Sequence, residues 1–128
     1  MSYYFSKKIN RKFNATVDKV KEELKTEGFG ILTEIDVKET FKKKINVDFH
    51  QYKILGACNP QFAYGALKME DKIGTMLPCN VIVQEISTHL TEVAAINPVS
   101  SMVAVENQQL HKAAEEVAEI LKRVISRL

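Results

Sequence analysis

The hydrophobic and polar positions of the chain follow two alternating patterns, which predict a mixture of strands and helices. Short runs have the period of two of a half-buried strand, and longer segments repeat apolar residues every three or four positions, as helices do. Strands are predicted at Tyr3–Ile9, Phe29–Ile35, Tyr52–Cys58, Asn80–Ser87 and Thr91–Asn97. The order is β-α-β-α-β-α-β-β-α, which favours an α+β fold with mostly antiparallel pairing and helices gathered on one face.

Turn and capping residues set the limits of the first two predicted helices. Asn14 or Thr16 can cap the first helix, which ends near Gly28. Asp36 can cap the second helix, which runs through Lys44. Both helices are therefore short connections between predicted strands.

The last helix, from about Asn107 to the end of the chain, has the clearest pattern. Its apolar residues form one helical stripe: Leu110, Ala113, Ala114, Val117, Leu121, Val124 and Leu128. Ile120 and Ile125 widen this stripe, so that it suits a dimer contact as well as a core. A charge introduced at Leu121 or Ile125 would test the dimer interpretation.

Composition limits the classes of protein to which the chain can belong. Its 128 residues, 45% of them hydrophobic, are enough for a single domain over residues 1–128 with its own core. The 18 basic and 16 acidic residues give a net charge of +2, which argues against a dedicated nucleic-acid binder. No apolar segment is long enough to span a membrane, and Met1–Lys8 has no signal-peptide core. We therefore expect a cytoplasmic protein whose two cysteines are free thiols.

Two Cys-Asn turns are the strongest candidates for a functional site. Cys58 ends a predicted strand, and Asn59-Pro60 starts a helix whose free N–H groups can stabilise a thiolate. The simpler interpretation is that Cys58 is a small buried residue. Cys79 follows Pro78 at the start of another strand. If the two strands are neighbours, the turns can form a reversible disulfide, a soft-metal site or a ligand pocket.

Other residues give little support to a known catalytic or metal-binding device. His50, His89, His111 and Met102 do not stand at a recognisable ligand spacing from either cysteine. His50 and His89 are also predicted at the strand ends opposite Cys58 and Cys79. No catalytic residue, metal ligand or cofactor is therefore assigned.

The candidate ligand-binding set is defined by the two turns and one acidic residue. Glu34 shares a strand face with Asp36, although Asp36 is accounted for as a helix cap and Glu34 as a solvated or paired side chain. The set is Cys58, Asn59, Cys79, Asn80 and Glu34.

The motifs resemble those of the family called domain of unknown function 302. The matching segments are Glu27–Val37, Tyr52–Pro60 and Leu77–Val81, with a looser match at Asn97-Pro98 and Met102. The resemblance implies a two-layer unit with a curved antiparallel sheet, similar to one repeat of the TATA-binding-protein fold, and a homodimer. It supplies no catalytic residues, and a shared fold does not imply DNA binding.

Three functions are consistent with these features. The first is a dimeric module that binds a small ligand, or a soft metal, at the Cys-Asn turns. The second is a structural or protein-interaction domain in which the motifs only shape turns. The third is a thiol-dependent enzyme or redox sensor. We favour them in that order.

Overall fold

The computed structural model describes residues 2–128, and its strands form one open antiparallel sheet. The strands are β1 (Tyr4–Ile9), β2 (Gly30–Asp36), β3 (Tyr52–Cys58), β4 (Cys79–Ser87) and β5 (Leu90–Ile96). Their order across the sheet is β1-β5-β4-β3-β2, and each neighbouring pair is antiparallel. The predicted α+β class and antiparallel pairing are confirmed.

Helices connect the strands and complete the fold. The α-helices are α1 (Phe13–Thr26), α2 (Val37–Ile45), α3 (Pro60–Met69), α4 (Pro98–Ser101) and α5 (Gln108–Ser126), and a 3-10 helix spans Asp71–Met76. Sequence patterns alone do not predict α4 or the 3-10 helix. Within residues 2–128, every helix is too short or too polar to cross a lipid bilayer.

The core lies between one face of the sheet and helices α1 and α5. Alternate residues of the central strands point to this inner face, including Leu55, Val83 and Val93, each 0% exposed. Val20 and Leu24 of α1 pack against them in the same core cluster. Helices α1 and α5 therefore pack on the face that the alternating pattern makes most apolar, whereas α2 contacts β2 and β3 and contributes nothing to this core, so the expectation of all helices on one face holds only in part.

The apolar stripe of α5 belongs to this core and not to a dimer contact. Leu121 is 0% exposed and Ile125 is 4% exposed, and both pack in the main core cluster. Ile120 is half-buried against the same cluster. The suggestion that this stripe forms an interface is wrong, because the protein's own sheet already covers it.

The first helix begins earlier than predicted. Its N-cap is Lys12, which makes no side-chain capping bond, so neither Asn14 nor Thr16 is the cap. Thr16 is instead fully buried inside the helix, where its hydroxyl donates to the carbonyl oxygen of Lys12 at 2.8 Å. A threonine can satisfy its hydroxyl in this way within a helix, which is why its presence did not mark the boundary.

Candidate functional site

The two Cys-Asn turns meet at one edge of the sheet. Cys58 is the last residue of β3 and Cys79 is the first residue of β4. These strands are neighbours, with Ala57 opposite Cys79 and Gly56 opposite Asn80. The adjacency that the sequence left open is therefore present, and both cysteines are free thiols.

Asn59 shapes the first turn as a helix cap. Its Oδ1 accepts hydrogen bonds from the backbone N–H groups of Gln61 at 3.1 Å and Phe62 at 3.4 Å. These N–H groups have no partner within the helix, so the cap stabilises the start of α3. Gly28 lies close to this turn: its φ is +82°, and a Cβ added there would stand 3.1 Å from Asn59 Nδ2. The glycine is required both by this backbone conformation and by the close approach.

Pro78 ties the second turn to the neighbouring strand. The Leu77–Pro78 peptide bond is cis. A Cβ added to Gly56 would stand 2.8 Å from Pro78 Cγ and would collide with the hydroxyl oxygen of Thr33. Gly56 therefore leaves the space into which the proline ring packs.

A third turn, Asn97-Pro98, lies at the same edge and was not among the predicted site residues. Asn97 follows β5 and caps α4 by accepting a hydrogen bond from the N–H of Val99 at 3.1 Å. Its Nδ2 donates to the carbonyl oxygen of Ser2 at 3.2 Å. The repetition of Asn-Pro directly after a strand, at positions 59–60 and 97–98, is the signal that could have identified it.

A small pocket lies beneath these three turns. Its volume is about 50 Å³. Its walls are mostly apolar and come from the ends of the strands, α3, α4 and α5: Phe29, Ala57, Cys58, Asn59, Phe62, Ala63, Ala66, Leu77, Pro78, Cys79, Pro98, Met102, Leu110, Ala113, Ala114 and Val117. The site thus brings Cys58, Asn59 and Cys79 together with Met102, which is 6% exposed.

The thiol of Cys79 is in an unfavourable place for a negative charge. Burial raises the pKa of Cys79 to about 11, and the nearby Cys58 thiol adds to the shift. Removing the charged form from water favours the neutral thiol. Cys79 is therefore protonated at neutral pH and presents an apolar SH group to the pocket.

The remaining two candidate residues lie outside the pocket. Glu34 accepts hydrogen bonds from Lys21 at 2.9 Å and Lys53 at 3.1 Å. These bonds, that from Lys21 first, lower the pKa of Glu34. Asn80 is exposed and faces a groove on the other side of the sheet. Neither side chain joins Cys58 and Cys79.

The histidines also lie away from the two thiols, so the structure offers no Cys-His pair at this pocket. His50 hydrogen-bonds with Gln84 at 2.9 Å, and His89 lies in the β4–β5 turn. None of the three histidines lines the pocket. Among residues 2–128, no group of three or more His, Cys, Asp and Glu side chains is placed to hold a metal ion.

The fold and the site define a class of small α+β proteins. Helices α1 and α5 cover the inner face of an open antiparallel sheet, and the Cys-Asn and Asn-Pro turns at the strand ends surround an apolar pocket. The chain belongs to the DUF302 family, a domain of unknown function, whose model matches residues 5–128. The family predicted from the motifs is confirmed.

A solved structure shares the fold over nearly the whole chain. It is the crystal structure of an uncharacterized conserved protein DUF302 from Bacillus stearothermophilus, with 26% sequence identity and a TM-score of 0.90. The match covers 99% of this chain and 98% of that chain. Among curated proteins, none matches this sequence.

Proposed function

We propose that this protein binds a small molecule through an apolar group that enters the pocket beneath the two Cys-Asn turns. The observation that carries the proposal is the convergence of three turns on one apolar cavity. Three strand ends meet there, and Asn59, Asn97 and Pro78 fix the backbone around it. Ligand pockets in proteins are commonly preformed and mainly apolar, with few polar groups.

The dimensions of the pocket limit the ligand. A cavity of about 50 Å³ has room for roughly four water-sized groups, since one water needs about 10–15 Å³ by this measure. The bound group is therefore a short alkyl or thioalkyl chain or a similar small moiety. Phe62 and Leu110 would make van der Waals contacts with this group. The polarizable sulfur atoms of the two cysteines also line the pocket and would contact it.

A soft-metal ligand is the second candidate, and Met102 is the observation that favours it. Two cysteine sulfurs and a thioether line the same pocket, and such ligands select Cu(I) over harder cations. A buried pair of thiolates would, however, need the metal to offset the desolvation that keeps Cys79 protonated. The same protonation weighs against a thiolate enzyme that uses Cys79 as its nucleophile.

Two measurements test the proposal. Native mass spectrometry and metal analysis of gently purified protein would reveal a bound molecule or copper. Xenon, which enters dry apolar cavities, is a suitable probe for the empty protein. We expect it to shift the NMR signals of the Met102 methyl group and of Ala114, and to leave signals of the opposite sheet face unchanged.

A pocket-filling variant provides the matched control. Ala113→Leu places a larger side chain in the pocket, whereas Ala15→Leu makes the same change on the exposed side of α1. Only Ala113→Leu should abolish the xenon shifts. If xenon shifts no pocket signal in the unmodified protein, and no bound molecule or copper is found, the proposal is wrong.

A further inference from the structure

A groove, here called the outer groove, lies on the face of the sheet opposite α1 and α5. Its volume is about 380 Å³, which is typical of small-molecule sites in proteins. Ile82 and Ala94, which lie opposite each other in the β4–β5 pairing, form part of its floor. Three tyrosines, Tyr3, Tyr4 and Tyr52, also line it. The outer groove is therefore separate from the pocket beneath the Cys-Asn turns, which lies on the inner face.

Helix α2 and an aromatic cluster border the outer groove on the side of β2 and β3. Phe41 of α2 packs edge to face on Phe49, with ring centres 5.1 Å apart. The ring of Phe49 in turn lies 6.2 Å from that of Tyr52. The ring of His50 lies 5.9 Å from that of Tyr52. Tyr52 is therefore held in place between this cluster and the groove, which occupies the part of the face that α2 leaves open.

Glu92 gives the outer groove a negative charge at a fixed position. Of the residues between 2 and 128 that line the groove, Glu92 is the one with a charged side chain, and it is half-buried. Its Oε1 accepts a hydrogen bond from Gln84 Nε2 at 2.9 Å. Gln84 Oε1 can only accept, so it receives its hydrogen bond from His50 Nε2, also at 2.9 Å. These two bonds hold the carboxylate in place and leave Glu92 Oε2 to accept from a ligand.

The carboxylate of Glu92 has no counter-ion in the described part of the chain. Within residues 2–128, no lysine, arginine or histidine forms a salt bridge with Glu92. Lys8 lies opposite Glu92 in the β1–β5 pairing, but its side chain is exposed. Lys43 and Lys44 of α2 lie beside Ile35 on the distant edge strand β2. Since a half-buried carboxylate is more stable with a cation beside it, the outer groove favours a positively charged ligand.

The tyrosine beside this carboxylate favours an organic cation. Strand pairing places Tyr52 next to Gln84 on one side and Glu92 next to Gln84 on the other. Because neighbouring strands are about 4.8 Å apart, the Cα atoms of Tyr52 and Glu92 are separated by about 10 Å. The space above Gln84 is thus bounded by an aromatic ring and a carboxylate. Aromatic faces attract ammonium groups, and a carboxylate forms strong hydrogen bonds with them.

Asn80 provides a polar group at the other end of the outer groove. It is exposed and lines the groove, and its amide can both donate and accept hydrogen bonds. Asn80 and Gln84 are four residues apart on β4, which corresponds to about 13 Å. Ile82 lies between them and gives the groove an apolar middle. The outer groove therefore matches a ligand that has an ammonium group at one end and an apolar body.

We propose that the outer groove binds a small organic cation. The ammonium group of this ligand pairs with Glu92 beside the ring of Tyr52, and its apolar body lies on Ile82 and Ala94. This site is additional to the pocket beneath the Cys-Asn turns. Because the two sites lie on opposite faces of the sheet, either one can be disproved without affecting the other.

An NMR titration with three small probes of different charge tests the proposal. Phenethylammonium should shift the methyl signals of Ile82 and Ala94, with a dissociation constant in the millimolar range because the probe is small. It should bind at least ~5-fold more tightly than the neutral phenethyl alcohol, and phenylacetate should bind more weakly than either. The signal of the Met102 methyl group, on the other face, should not move. The proposal is wrong if phenethylammonium shifts no signal of the groove, or if phenylacetate binds as tightly.

Charge variants test the role of Glu92 in the same titration. Glu92→Gln should weaken phenethylammonium binding at least ~5-fold. Glu116→Gln is the matched control: it makes the same change of charge at an exposed position of α5, on the other side of the sheet, and should bind normally. Lys8→Gln should strengthen binding, because it removes a like charge next to the site. Equal binding by the two glutamate variants, or weaker binding by Lys8→Gln, would overturn the proposal.

A tyrosine variant keeps the test decisive if Glu92→Gln does not fold. Tyr52→Leu removes the aromatic face and should weaken phenethylammonium binding roughly 2–5-fold, while the affinity for phenethyl alcohol should change less. Tyr64→Leu is its control, since Tyr64 is 67% exposed on α3, away from the outer groove. A folded Tyr52→Leu protein that binds phenethylammonium as tightly as the Tyr64→Leu protein would contradict the assigned site.

Discussion

The alkylation of Cys79 gives a direct test of how far this thiol is shielded from water. The Cys58→Ser variant leaves Cys79 as the single thiol of the chain. In the unmodified protein, burial raises the pKa of Cys79 from 9.0 to about 11, with a smaller contribution from Cys58. Below pH 9 the thiolate population is then ~100-fold smaller than for an ordinary cysteine. Because burial is the larger cause, most of this effect should persist in the variant.

The assay is the rate of iodoacetamide reaction with the Cys58→Ser protein, followed by mass spectrometry from pH 7 to 11. We expect the rate to keep rising above pH 9, with its midpoint above the ordinary value. Steric blocking alone would lower the rate at every pH without moving the midpoint, so the pH profile separates the two effects. The same protein unfolded in guanidinium should react at an ordinary rate. A midpoint at or below 9.0 in the folded protein would refute the claim that burial shields the Cys79 thiol from water.

The raised pKa of Cys79 also makes the free energy of unfolding depend on pH. The pKa of Cys79 is higher in the folded protein than in the unfolded chain. Its contribution to the free energy of unfolding is therefore fully present below pH 9 and is lost as the pH rises towards 11. Two pH units correspond to about 2–3 kcal/mol. Cys79→Ala should therefore lose less stability over this range than the unmodified protein, as measured by urea unfolding at several pH values. Equal losses would show that Cys79 is already solvated.

Three further predictions concern the residues that hold the fold around the site, each measured by chemical unfolding. Gly56→Ala should cost about 1–3 kcal/mol through its clash with Pro78, whereas Gly30→Ala, which has open space, should cost little; equal effects would contradict the packing. Asn59→Ala should cost about 1 kcal/mol through loss of the helix cap, and Asn59→Asp, which keeps the acceptor, should not; equal losses would exclude capping. Arg127→Gln should lower the stability only slightly, and less still at high salt, because its ion pair with Glu27 at 2.9 Å is exposed to solvent. Hydrogen bonds from Arg123 first, and from Arg127 after it, lower the pKa of Glu27 to about 2, so the stabilisation by these pairs is present above pH 4.5 and is lost as the pH falls towards 2; a stabilisation that is already lost at pH 6 would contradict this assignment.

The sequence predicted the five strands, the caps of α2 and α3 and the glycine that ends α1, because these depend on local chemistry; it did not predict the N-terminal boundary of α1. Asp36 accepts from the N–H of Glu39 at 3.0 Å, and Gly28 has the positive φ that ends α1. The meeting of Cys58 with Cys79 was not predictable with the same certainty. It depends on the pairing of β3 with β4, and the choice of strand neighbours is made by tertiary packing.

The burial of β3 shows where an apolar run is ambiguous. Tyr52–Cys58 is nearly continuous in apolar character, but only one of its faces is in the core: Leu55 and Ala57 point inward, while Ile54 points outward. An apolar run is consistent with a strand that is covered on both faces. It does not show whether the second face is covered by the same chain or by another molecule.

The geometry of a strand also explains why the five candidate ligand residues do not act together. Cys79 and Asn80 are consecutive in β4, so their side chains must point to opposite faces of the sheet. Asn59 uses its Oδ1 to cap α3, and Glu34 is held by two lysines. The two thiols are therefore the candidates left to contact a ligand with free side-chain atoms, inside walls that are mostly apolar. Selectivity at this pocket must then come from the shape and softness of the bound group and not from hydrogen bonding to asparagine.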